Sequence, residues 1–176
     1  MRVFITDLTA YNQGNFIGRW TDFPLTDEEL FILTSEILTE GAHICGNDDH
    51  KEIFVTDSEG FPFEVDEYVD IYTLNYQAQL IDNVSDGELL QLEFLLQEGQ
   101  TFEYAITHYE TVEIYDYSHD KSFTDVYEML AFDLVDEGLY GDIPSHLQHY
   151  IDYGAIGRDL SMEYTEFKHA VLGRAS

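Results

Sequence analysis

The sequence predicts an α+β fold, and three observations carry the prediction. Strand-like alternation occurs near both ends of the 176 residues. Helix patterns with recognisable starts and stops fill the space between. The composition is also rich enough in apolar and aromatic side chains to build a core, which matters because 36 acids face only 7 bases, a formal charge of −29. Acidic chains with few aromatics are usually disordered; here 44% of residues are hydrophobic, with 13 Tyr, 12 Phe and one Trp. The expected architecture is an elongated chain of three small domains. A small sheet plus one helix occupies residues 1–69, a helical bundle 70–110, and a second mixed α/β domain 111–176.

Residues 2–8 alternate as a half-buried strand, with Val3 and Ile5 inward. Tyr11-Asn12-Gln13-Gly14-Asn15 has turn chemistry, and Phe16 to Trp20 reads as a returning strand. Thr26-Asp27-Glu28-Glu29 is a capping-box start for a helix through Leu30, Ile37 and Leu38, with Gly41 as its stop. Ile53 to Val55 is a short strand before a turn at Ser58-Glu59-Gly60. Ile71, Leu74, Ala78 and Ile81 make a helical stripe. A second capping box at Ser85-Asp86-Gly87-Glu88 opens a helix ending at Gly99, and Thr101 caps a third, short one through His108. Val112 to Tyr117 alternates as a strand. Ser122 opens a helix carrying Val126, Met129, Leu130 and Leu134, stopped by Gly138. Pro144 is placed to begin another helix, holding Leu147, Tyr150 and Ile151, and Met162 to Ala170 reads as one closing strand.

The acids are unevenly opposed. Between Glu52 and Asp120 there are seventeen Asp and Glu and no Lys or Arg. Such self-repulsion weakens a compact state, so the charge points to a use, with a solvated acidic face or salt adaptation as the plain alternatives. Nucleic acid and anionic membranes are excluded as partners; a positively charged partner is favoured. The single cysteine, Cys45, and the lack of a long apolar run predict a cytoplasmic protein.

No constellation makes a case for catalysis, a metal or a cofactor. Asp49-His50-Lys51 has the D-x-K spacing of a nuclease without its preceding acid. Asp116-x-Ser118-x-Asp120 matches the first half of a calcium loop but fails at Lys121 and Tyr127, the positions for the turn glycine and the bidentate acid. His43, Cys45 and His50 match no common zinc spacing, and His146 and His149 lack the Glu of a zinc-protease helix. The charge itself remains. At the density of duplex DNA, about one charge per 1.7 Å, this net charge covers about 50 Å, or about fifteen base pairs.

Three blocks then stand out. The first is Tyr11-Asn12-Gln13-Gly14 with Gly18, Trp20 and Phe23-Pro24. The second is Phe61-Pro62-Phe63-Glu64-Val65-Asp66-Glu67-Tyr68 with Ile71, Leu74 and Asn75. The third runs from Glu137-Gly138-Leu139-Tyr140-Gly141-Asp142-Ile143-Pro144 through Tyr150-Ile151-Asp152-Tyr153 to Leu160. In kind and order they resemble the ArdA antirestriction family over residues 11–160, with the third block the most specific. The resemblance implies a non-enzymatic inhibitor of type I restriction–modification enzymes, carried by mobile genetic elements and acting in a bacterial cytoplasm. It also implies an elongated homodimer whose carboxylates imitate DNA phosphates in the enzyme's basic DNA-binding channel.

By the same resemblance the antirestriction motif lies at about Leu130 to Pro144. It includes Asp133, Asp136, Glu137, Gly138, Tyr140, Gly141, Asp142 and Pro144. Candidate phosphate mimics in the acid-only run are Asp66, Glu67, Asp70, Asp82, Asp86, Glu88, Glu93, Glu98, Glu103, Glu110, Glu113 and Asp116. The third domain is implied to supply the dimer contact, for which Tyr127 and Tyr140 are candidates, although either is equally suited to a core. The alternative function is an acidic binding module for another basic DNA-binding protein.

Overall fold

The computed structural model describes residues 1–117, 125–168 and 170–174. Among them are seven α-helices and two three-stranded antiparallel sheets, a mixed α+β class as expected. They group into two compact units, Met1–Ser85 and Asp86–Ser176.

In the first unit the sheet order is β2 (Gly18–Asp22), β1 (Arg2–Asp7), β3 (Ile53–Glu59). Alternation on β1 sends Val3 and Ile5 into a core with Val55, Leu30 and Ile37 of α2 (Asp27–Cys45), and Ile71, Leu74 and Ala78 of α3 (Ile71–Ile81). The Thr26 capping box forms as predicted: the Thr26 hydroxyl accepts from Glu29 N, and Glu29 accepts from Thr26 N. Buried Asn75 on α3 holds the segment before α2, donating to Leu25 O and accepting from Leu25 N.

Four expectations here are corrected. The residues after β1 form a short helix, α1 (Leu8–Asn12), before the Gly14 turn, because the Asp7 side chain caps it by accepting from Ala10 N at 2.9 Å. The returning strand begins at Gly18 rather than Phe16, and β3 runs through Ser58 and Glu59 to a turn at Gly60. Gly41 does not stop α2, which continues to Cys45 and ends on left-handed Gly46. Gly41 is instead a site of close approach. A Cβ there would collide with Oδ2 of fully buried Asp7, which also bonds His50 Nδ1 at 2.5 Å.

In the second unit α4 (Asp86–Gln97) and α5 (Phe102–His108) start where the sequence puts them, with Thr101 capping α5. They lead to β4 (Val112–Asp116), and Gln91 of α4 donates to Val112 O at 2.5 Å. After α6 (Val126–Asp136) and α7 (Tyr153–Leu160) come β5 (Tyr164–Phe167) and β6 (Ala170–Arg174), in the order β4-β6-β5. Leu130, Ala131 and Leu134 of α6, Leu160 of α7 and Val171 of β6 form the core.

Here too the sequence misleads in places. The helix expected from Pro144 is absent: residues 141–147 are irregular, a single 3-10 turn spans Gln148–Tyr150, and the helix starts later, where Asp152 caps Ala155 N. Leu147 and Tyr150 are exposed, so no core face was available to hold that helix. The closing strand is a hairpin of two strands. The expected opening of α6 at Ser122 lies outside the described residues; Asp125 caps the helix.

Candidate functional site

The segment from Leu130 to Pro144 begins within α6. Met129, Leu130, Ala131 and Leu134 face the core; Asp133, one turn on from Met129 and Leu130, is half-buried at the edge of that face, whereas Asp136 and Glu137, at the end of the helix, are exposed. The helix closes through Leu139 N to Leu134 O at 3.0 Å, and left-handed Gly138 and Gly141 fold the chain back on itself. That turn brings Tyr140, Asp142 and Pro144 to the surface beside a cavity of about 260 Å³. Phe132, Asp136, Gly138, Gly141, Asp142 and Tyr153 are among its walls.

Hydrogen bonding sorts the candidate carboxylates into two kinds. Asp133 accepts from the Tyr117 hydroxyl at 2.8 Å, and Glu113 accepts from the Tyr164 hydroxyl at 2.8 Å. Burial first, and then these bonds to the carboxylates, push both phenols above their ordinary range. Glu93 is half-buried in an ion pair with Lys168. Asp70 caps α3, accepting from Thr73 Oγ1 and N, which holds its carboxyl below the usual range. Asp66 accepts from Tyr68 N at 2.7 Å. These groups have structural work.

The second kind is unengaged. Glu67, Asp82, Asp86, Glu98, Glu103, Glu110, Asp136, Glu137 and Asp142 are exposed, with no side-chain hydrogen bond or ion pair among the described residues. Glu88 is half-buried and engaged, and Asp116 is the last residue of β4. Of the described acids whose burial is defined, only Asp7 is buried. The motif is thus mixed: Asp133 is tied down, while Asp136, Glu137 and Asp142 point to solvent.

Tyr127 is half-buried, its hydroxyl accepting from Glu166 N at 3.1 Å, whereas Tyr140 is exposed. Asp49 and Lys51 pair with each other at 2.6 Å on the surface. His50 of the His43–Cys45–His50 set is buried against Asp7. Among the described residues no group of three or more His, Cys, Asp or Glu is placed to hold a metal ion. Ser118, Asp120 and Lys121 of the calcium-loop pattern lie outside the described residues. The tyrosines that hold Asp133 and Glu113 were not anticipated; they lie 16 and 51 residues from their partners, a separation no local pattern signals.

Fold and surface together define a class: a small α+β protein that displays at its surface carboxylates with no side-chain partner among the described residues, and in which no described helix is long and apolar enough to cross a membrane. The family model for the antirestriction protein ArdA matches residues 3–171, and the chain belongs to that family. Antirestriction is therefore its family activity, and a restriction–modification enzyme is the partner that membership implies. No curated protein matches the chain.

Proposed function

We propose that the chain is a non-enzymatic DNA mimic that inhibits type I restriction–modification enzymes by occupying their DNA-binding channel. The observation that carries the reading is the set of exposed carboxylates that have, among the described residues, neither an ion-pair nor a side-chain hydrogen-bond partner: Glu67, Asp82, Asp86, Glu98, Glu103, Glu110, Asp136, Glu137 and Asp142. A solvated face made only for solubility has no need of so few counter-cations; a surface that exchanges places with duplex phosphates does. Association is driven by charge complementarity and by release of the counterions held on this surface and in the enzyme's channel, so it is fast and weakens with salt.

In this reading the chain is an elongated three-part body, divided near residues 69 and 110, which dimerises through its last part in the bacterial cytoplasm. Tyr127 and Tyr140 are the candidate contacts. Two chains side by side span about 100 Å at duplex charge density. Small-angle scattering tests the shape: a compact globule of this length has a radius of gyration near ~16 Å, and the extended dimer greatly exceeds it. Function is tested by DNA cleavage and methylation with a purified type I enzyme and increasing amounts of this protein. Inhibition at low salt that fades as salt rises is expected; no inhibition at low salt contradicts the proposal.

A further inference from the structure

The first sheet buries one face against α2 and α3, and its other face carries a continuous row of aromatic rings. Trp20 meets Phe4 edge-on at 5.6 Å between centroids, and Phe4 stacks on Phe16 at 5.4 Å. Phe16 meets Tyr11 at 6.2 Å, Tyr11 meets Phe54 at 5.2 Å, and Phe54 stacks on Tyr68 at 6.1 Å. Gly18 makes room for the row, since a Cβ there would stand 2.7 Å from the Phe4 ring. Tyr11, Gly18 and Trp20 come from the first sequence block singled out above and Tyr68 from the second, so two distant blocks converge on one surface whose rings acid display does not explain.

Phe54 is buried and Phe4 and Trp20 are half-buried beneath the outer rings, yet Tyr11 is 49% exposed, Phe16 62% and Tyr68 70%. Three exposed aromatic rings grouped on a half-buried aromatic base mark an interaction surface. Two features specify the occupant. Arg2 lies over the Trp20 ring at 4.4 Å from its centroid, so the row already holds one guanidinium by a cation–π contact. The exposed acids Asp22, Asp57, Asp66 and Glu67 neighbour the row in register or sequence. Aromatic faces rimmed by carboxylates suit arginine, whose flat, weakly hydrated cation stacks on a ring while pairing with an acid.

We propose that this face is a docking surface for a protein segment presenting arginine side chains. A second copy of the chain is a poor occupant, since it has seven Lys and Arg in all and Arg2 and Arg19 are already paired with Glu59, Glu36 and Glu40. Single-stranded nucleic acid, which also stacks on aromatic platforms, is repelled by the same charge. The assignment is separate from competition with DNA: loss of inhibition tests the acid display, whereas discrimination between arginine and lysine tests this face.

Trp20 is the chain's one tryptophan and reports on the row directly. The full chain is titrated with an alternating Arg–Gly peptide and with its Lys–Gly counterpart at about 0.15 M salt, where exposed charges are screened beyond ~8 Å. The Arg–Gly peptide is expected to perturb Trp20 emission and bind about two- to fivefold tighter, within what one exposed cation–π contact provides. The variant Tyr11→Ser/Phe16→Ser/Tyr68→Ser is expected to lose that preference while its Lys–Gly affinity and thermal melting stay unchanged. If the triple variant melts early, Tyr68→Ser alone is read in the same way. Equal affinity for the two peptides, retention of the preference in the variant, tighter binding of oligothymidine, or a concentration-dependent Trp20 change without peptide would each overturn the proposal.

Discussion

Asp133 and Asp136 stand three residues apart on α6 and do different things. Asp133 is half-buried and receives the Tyr117 hydroxyl, whereas Asp136 is exposed and has no side-chain partner among the described residues. Asp133→Asn should therefore cost about 1–2 kcal/mol of stability, and Asp136→Asn nothing measurable by urea denaturation. The phenols add a pH dependence. Tyr117, Tyr164 and Tyr115 are raised above their ordinary value, mainly by burial, so the folded chain keeps protons that the unfolded chain releases. Their stabilisation is complete below about pH 10, the ordinary phenol value, and declines as pH rises beyond it. Tyr117→Phe should flatten that alkaline decline in a denaturation series across pH. A second residue-scale test concerns Gly41. Gly→Ala within a helix ordinarily gains about 1 kcal/mol, but here the methyl would strike the Asp7 carboxylate held by His50. Gly41→Ala should lose about 1–3 kcal/mol, as overpacked sites do. The sequence could not reveal this, because a glycine within an apolar stretch reads as a helix stop until the residue packed against it is known.

Elements were legible where a local signal and a buried face agreed. The Thr26 box and the Leu30–Ile37 stripe give α2, and Asp70 followed by Ile71, Leu74 and Ala78 gives α3. Removing the α3 cap with Asp70→Ala should cost about 1 kcal/mol in thermal unfolding, since Thr73 N loses its acceptor. Pro144 shows the opposite case. It offered a good first helical residue, but Leu147 and Tyr150 had no partner surface, and Tyr150 is 84% exposed. The helix formed instead at Tyr153–Leu160, where an Asp152 cap coincides with buried Gly157 and Leu160. The closing hairpin was hidden for a related reason: β6 pairs with β4, some sixty residues earlier, and that long-range pairing leaves no trace in alternation alone.

For the whole molecule, the charge was readable from composition, but its division into engaged and unengaged acids was not. Glu93, Glu113 and Asp133 belong to the same acidic background as Glu98, Glu110 and Asp136, and only tertiary contacts with Lys168, Tyr164 and Tyr117 separate them. If the unpaired acids act together, each contributes a small share. Changing any one of Glu98, Glu110 or Asp142 to its amide should alter inhibition less than about threefold, while neutralising many together should abolish it and flatten its dependence on the logarithm of salt concentration. One such amide abolishing inhibition in a folded protein would rule out distributed mimicry.

The central claim is that this surface and duplex DNA occupy the same place on the enzyme. It is tested most directly by binding a fluorescent duplex to a purified type I restriction–modification enzyme and titrating in the protein at several duplex concentrations. Mimicry predicts complete displacement, with the half-displacing concentration rising in proportion to duplex. A ternary complex of enzyme, duplex and protein, or a half-displacing concentration that does not change with duplex, would contradict it.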